Sequence, residues 1–262
     1  MTIIKHEIKA NAKTMLIWSF SIGFIILAVM LMFPLMEEQL IEMGDLFSNM
    51  NGLSSAFGLD QLSVYSPIGY YGSQVGVVLS LGGALFTAML GADLLSKEEG
   101  GHTAEFLLTS PISRLNIVLQ KLAAMIVIVF IFEVICFSMA TLSFVFIKES
   151  IPMPEFLLYH VAQFYLHIEI ACICFGISAF SEKMNTGLAL GIATILYFID
   201  IMVKTVGDLD FLKYITPFYY ASAGDIFSSG KIDGVLVFIG IVVSVFFIIV
   251  SGLQYSRKDV AC

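Results

Sequence analysis

The chain has 262 residues, of which 58% are hydrophobic and 13% charged, with 23 Phe and a mean hydropathy of +0.94. Water must be met at the surface of a soluble domain of this length, and such a composition leaves too little polar area to do so. The formal net charge of -8 points to no basic ligand, and nucleic-acid binding is excluded because no basic, aromatic patch stands outside the apolar runs.

The first 13 residues alternate Ile3, Ile4 and Ile8 with Lys5, Lys9 and Lys13, which predicts either a short helix lying on lipid headgroups or a basic tail. The apolar run behind them is longer than a signal-peptide core and lacks a small-residue cleavage site, so it reads as an anchor. Six runs reach the roughly 20 helical residues that a hydrocarbon core of about 30 Å demands. They are 14–36, 69–92, 122–147, 156–180, 185–203 and 234–255, forming one transmembrane domain over 1–262. The fold class expected is therefore an all-α integral membrane protein with six transmembrane helices. Glu133 falls in the third run, His160, His167 and Glu169 in the fourth, and Asp200 in the fifth, where it reads as a solvated end residue.

The segment after the first run carries Leu40, Met43, Phe47, Met50 and Phe57 at near-helical spacing, predicting an amphipathic surface helix. Its residues 37–68 hold five acids and no basic residue, which places them outside. Six spans put both termini on one side. Nine basic residues share it (Lys5, Lys9, Lys13, Lys97, Arg114, Lys121, Lys183, Arg257 and Lys258), whereas Lys148, Lys204, Lys213 and Lys231 lie opposite. Basic residues favour the cytoplasm, so both termini are expected there.

Small residues recur every fourth position in the second run, at Gly72, Gly76, Ser80, Ala84, Ala88 and Ala92, with a shorter row, Gly187 and Gly191, in the fifth. Such ridges let another helix approach closely, either inside the chain or at a dimer seam. Cys136, Cys172 and Cys174 read as apolar packing residues, since no disulfide or metal-ligand spacing accompanies them or Cys262.

The stretch between the second and third runs reads as two helix starts. Gly100 and Gly101 break the chain, Thr103 can cap a short helix with Glu105 in its first turn, and Phe106, Leu107 and Leu108 follow. Ser110 before Pro111 is a second cap, predicting a rod over 111–147, roughly 55 Å long, that runs straight into the third span. The short helix could rest on headgroups or dock a cytoplasmic partner.

Glu98 and Glu99, the run from Gly101 through His102, Thr103, Ala104, Glu105, Phe106, Leu107 and Leu108, then Pro111, Ile112, Ser113, Arg114 and Lys121 resemble the coupling segment of type 2 ATP-binding cassette (ABC) transporter permeases. Tyr214, Thr216, Pro217, Phe218 and Tyr219 before the last span, and Tyr255, Arg257, Lys258 and Asp259 at its end, are similar to further landmarks of that family in the same order. The resemblance implies an exporter permease: a half-transporter in the cell membrane, bacterial inner membrane foremost, paired with a second permease chain, identical or homologous. Two cytoplasmic ABC ATPase subunits would dock on Glu98, Glu99, Thr103, Glu105, Phe106, Leu107, Leu108, Pro111 and Arg114, and ATP and Mg would be bound by those partners. It also implies a cytoplasmic coupling helix between spans two and three. A short re-entrant or interfacial helix is expected over 211–229, with Pro217, Phe218 and Tyr219 as an outer gate or interface.

No nucleotide cofactor is expected on this chain, and no enzymatic activity. The Gly230–Lys231 pair lacks the rest of a phosphate-binding loop, and His160, His167 and Glu169 lack the zinc-protease spacing. An ionised carboxylate facing lipid is expensive, so Glu133 and Glu169, with Gln163 and His167, are candidates for a transport path or for structural hydrogen bonds between helices. The substrate expected is amphipathic or hydrophobic. Two rival functions stand beside it: a carrier driven by an ion gradient through Glu133 and Glu169, and a non-transporting membrane anchor that regulates an ATPase.

Overall fold

A backbone in lipid must satisfy its own N–H and C=O groups, and the helix is how a single segment does so. The computed structural model describes residues 2–48, 62–101, 112–181, 183 and 185–257, and among them it is built of helices with no strand. Six helices are long and apolar enough to cross a bilayer. They are span one (Thr2–Ser48), span two (Pro67–Leu94), span three (Arg114–Ile147), span four (Met153–Ser178), span five (Thr186–Thr205) and span six (Gly234–Arg257). The fold is thus an all-α, six-span membrane protein.

Span one is a single 47-residue helix that runs through Pro34. At 1.5 Å per residue it is roughly 70 Å long, more than twice a hydrocarbon core. The basic N-terminal segment is therefore neither a separate surface helix nor a tail but the first turns of this rod. Ile3 and Glu7 face inward, while Lys5, Lys9 and Lys13 face solvent. The expected surface helix after span one is likewise its continuation to Ser48; Met50 and Phe57 lie outside the described residues.

Span two begins with Ser66 capping Gly69 N–H at 3.1 Å and Pro67 in the first turn, then passes through a π turn at Tyr71–Val75. A π turn inserts a residue and rotates the helix beyond it, and such turns gather at functional sites. Gly72, Gly76 and Ser80 line a cavity, while Ala84 and Ala88 are fully buried. Gly83 meets the His167 ring and Gly91 meets the Ala171 carbonyl, so closely that a Cβ at either would overlap them. Tight approaches to span four are thus made at Gly83 and Gly91, each next to a member of the small-residue ridge.

The rod into span three begins later than expected. Ser113, extended at φ -66 and ψ 146, caps Asn116 N–H at 3.3 Å, and the helix starts at Arg114 rather than Pro111. It is still 34 residues, roughly 51 Å. Span one packs along span three, span two along spans four and five, and span six along span four. Arg114 donates to the Ser256 carbonyl at 3.5 Å, and Lys121 lies 3.5 Å from Glu7, so both termini share one end of the bundle.

Between spans five and six the chain forms a 3-10 stretch (Gly207–Tyr214), a turn, and a short helix (Ala223–Ser229). Gln163 donates to the Ala221 carbonyl at 3.0 Å. Gln163 lies ten residues, about 15 Å, inside the start of span four, so the turn reaches well down into the bundle from the end opposite the termini.

Candidate functional site

Three buried polar groupings stand where apolar packing would otherwise be continuous. The central one joins spans two, three and four. Glu133 accepts from His167 Nδ1 at 2.6 Å, and His167 Nε2 faces the Ser80 carbonyl at 3.4 Å. Both ring nitrogens therefore lie against oxygen atoms of neighbouring helices. A low-dielectric interior tolerates a carboxyl group where it is paired and hydrogen-bonded, and His167 supplies that partner. His160 sits beside it, with Nδ1 3.7 Å from Glu133 Oε2 and Nε2 2.9 Å from the Tyr71 hydroxyl. Phe137, Phe156 and Tyr159 ring His160 at centroid distances of 5.0, 4.8 and 5.6 Å. Tyr71 and His160 complete the constellation, although neither is among the site residues expected from sequence. The signal for His160 is its seven-residue spacing from His167, two helical turns on one face; nothing in the sequence marks Tyr71.

The second grouping fastens the re-entrant turn. Tyr220 donates to Glu169 Oε2 at 2.9 Å beside Gly240 of span six, where an added Cβ would overlap the carboxylate. With the Gln163–Ala221 bond, span four thus holds the turn at two points. Pro217 and Phe218 are buried, Phe218 against Tyr197 at 5.3 Å, and Tyr219 is half-buried. Asp200, expected to be solvated, is 3% exposed and accepts from Lys204 at 2.7 Å. The re-entrant turn covers it, an arrangement that no local pattern around Asp200 announces.

The third grouping lies at the end of the bundle that carries the termini. Glu7 pairs with Lys97 and, at 3.5 Å, with Lys121; Lys121 also pairs with Glu98 and donates to the Leu94 carbonyl at the end of span two. Lys121 and Glu7 are 0% and 1% exposed. Lys121, one of the nine basic residues counted on this side, is wholly buried, its four-carbon stem reaching the Leu94 carbonyl at the end of span two. Glu99 lies in the short helix Lys97–Gly100, and Arg114 is placed against span six. Thr103, Glu105, Phe106, Leu107, Leu108 and Pro111 lie outside the described residues. No group of three or more potential metal ligands occurs among the described residues.

A six-span helical bundle with polar pairs buried at its centre and at one end is that of a polytopic membrane protein. The chain belongs to the ABC-2 family: the model of the ABC-2 family transporter protein matches residues 1–260. It is accordingly the permease, a transport subunit, of an ABC transporter, and its family implies partnership with an ABC ATPase. A search among curated proteins gives no match.

Proposed function

We propose that the chain is the membrane half of an ATP-driven exporter, with cytoplasmic termini in a bacterial inner membrane, pairing with a second permease chain and with two copies of an ATPase. The observation that carries this reading is the ion network at the flanks of the coupling segment. Lys97 and Glu98 lead into residues 102–111, Lys121 follows them, and Glu7 of span one pairs with both lysines. A push on that segment is thereby delivered to spans one and three together, rather than dissipated in a loose loop. Span three, 34 residues long, carries the displacement past Glu133 and on to the opposite end. There the re-entrant turn, held to span four through Gln163 and Glu169, controls release of an amphipathic or hydrophobic substrate.

The test is the double substitution Glu105→Arg with Leu108→Asp in a tagged chain, purified in mild detergent with nucleotide. The expected result is loss of the co-purifying ATPase with the permease still monodisperse; undiminished capture of the ATPase refutes the docking assignment. One observation favours a carrier driven by an ion gradient, the buried Glu133–His167 pair at mid-span. Reconstituted vesicles separate the two readings, since transport that needs a proton gradient and no ATP supports the carrier.

A further inference from the structure

A cavity of about 50 Å3 lies between the bend of span two, span five and the re-entrant turn. That volume admits a few waters or one small polar group. Ser73, Ser80 and Ser222 stand on its wall with Asp200 and Lys204, and the rings of Tyr197 and Phe218 complete it. Asp200 is 3% exposed; its Oδ2 accepts from Lys204, while Oδ1 has no hydrogen-bond partner among the described residues. A buried carboxylate oxygen with no donor is an unmet demand. Lys204, whose side chain is 17% exposed at the end of span five, has a flexible stem long enough to withdraw its ammonium to the surface. Half-buried Asp225, close enough to Asp200 to act on it electrostatically, adds a second acidic group near that ammonium.

We propose that this cavity is a binding subsite for the primary ammonium group of an amphipathic molecule, which takes the place of Lys204 on Asp200. One cation leaves as another arrives, so the charge beside Asp200 is unchanged by binding. The aromatic wall of Tyr197 and Phe218, 5.3 Å apart, offers the incoming cation a π face, and the lipid-facing side of span five accommodates its apolar tail. The ammonium can come from an aminophospholipid headgroup or from a free amphipathic amine.

Binding of dodecylamine and of dodecanol to the purified full chain in phosphatidylcholine nanodiscs reads the site directly. The wild-type chain is expected to hold the amine about tenfold more tightly than the alcohol, the scale of one charge-assisted hydrogen bond. Asp200→Asn should abolish that preference, and Lys204→Gln should enlarge it by removing the internal competitor. A purely structural ion pair predicts the opposite for Lys204→Gln, no gain or a loss. Equal binding of amine and alcohol by the wild type, or an unchanged preference in Asp200→Asn, overturns the site. If Asp200→Asn does not fold, Lys204→Gln alone decides, through a preference above or not above that of the wild type. Adding phosphatidylethanolamine to the nanodiscs identifies the source: competition with dodecylamine indicates a lipid headgroup, and its absence a free amine. The subsite deepens the exporter reading by naming its substrate class, yet its test needs no ATPase. A chain that binds the amine but never captures an ATPase sinks the exporter and leaves the subsite intact.

Discussion

Lys121→Met is the sharpest probe of the ion network, because it removes a buried cation and keeps most of the apolar stem. Lys121 is 0% exposed and serves Glu7, Glu98 and the Leu94 carbonyl at once. Breaking a buried pair by deleting one partner costs about 3–5 kcal/mol, since the charge left behind stays desolvated. Two features place the expected loss near the lower end of that range: Glu7 retains Lys97, and Glu98 is 14% exposed and so partly met by water. At roughly 2–4 °C per kcal/mol for a chain of this size, the melting temperature should fall by about 6–12 °C. Trp18 is the sole tryptophan and lies 6.0 Å from Phe86, so its emission reports thermal unfolding of the span one contact. Glu7→Gln combined with Lys121→Met should show a coupling of about 1 kcal/mol or more between the two sites. A melting temperature within about 1 °C of wild type, or effects that add within about 0.5 kcal/mol, would refute the view that Glu7 is gripped through Lys121.

Three regions of the bundle offer further tests. Glu133→Gln replaces the carboxyl group 2.6 Å from His167 Nδ1 with an amide, so it should lower stability by about 1–3 kcal/mol and depress substrate-stimulated ATPase turnover in the reconstituted complex; normal values of both exclude a role for the pair. Gly83→Ala places a Cβ against the His167 ring and should cost about 1–3 kcal/mol, seen as a lower melting temperature. Gly191→Ala meets open space and should be neutral or gain about 0.5–1 kcal/mol in the same assay. Tyr220→Phe removes the donor to Glu169 and should loosen the re-entrant turn, measured as faster hydrogen exchange across 215–222 with the remainder of span four unchanged.

Length and apolarity alone announced the six spans, because the bilayer imposes one rule on each of them separately: about 20 apolar residues, every backbone group paired within the helix. The family resemblance was legible for a similar reason, being carried by contiguous residues around Glu98 to Arg114. What only the tertiary structure decided is which polar residues meet. Glu133 finds His167 34 positions away, Tyr220 finds Glu169 51 away, Tyr71 finds His160 89 away, and Lys97 finds Glu7 90 away. Such meetings depend on the rotation and depth of whole helices relative to one another. A π turn at Tyr71–Val75 or a cap at Ser113 resets them, with little change in local sequence pattern. Asp200 shows the limit most clearly. Its neighbours in sequence describe the solvated end of a span, and it is buried in a cavity that Phe218, Ala221 and Ser222 of the re-entrant turn help to wall. The polar residues of the spans could thus be enumerated one helix at a time, whereas their partners are set by packing among several helices at once.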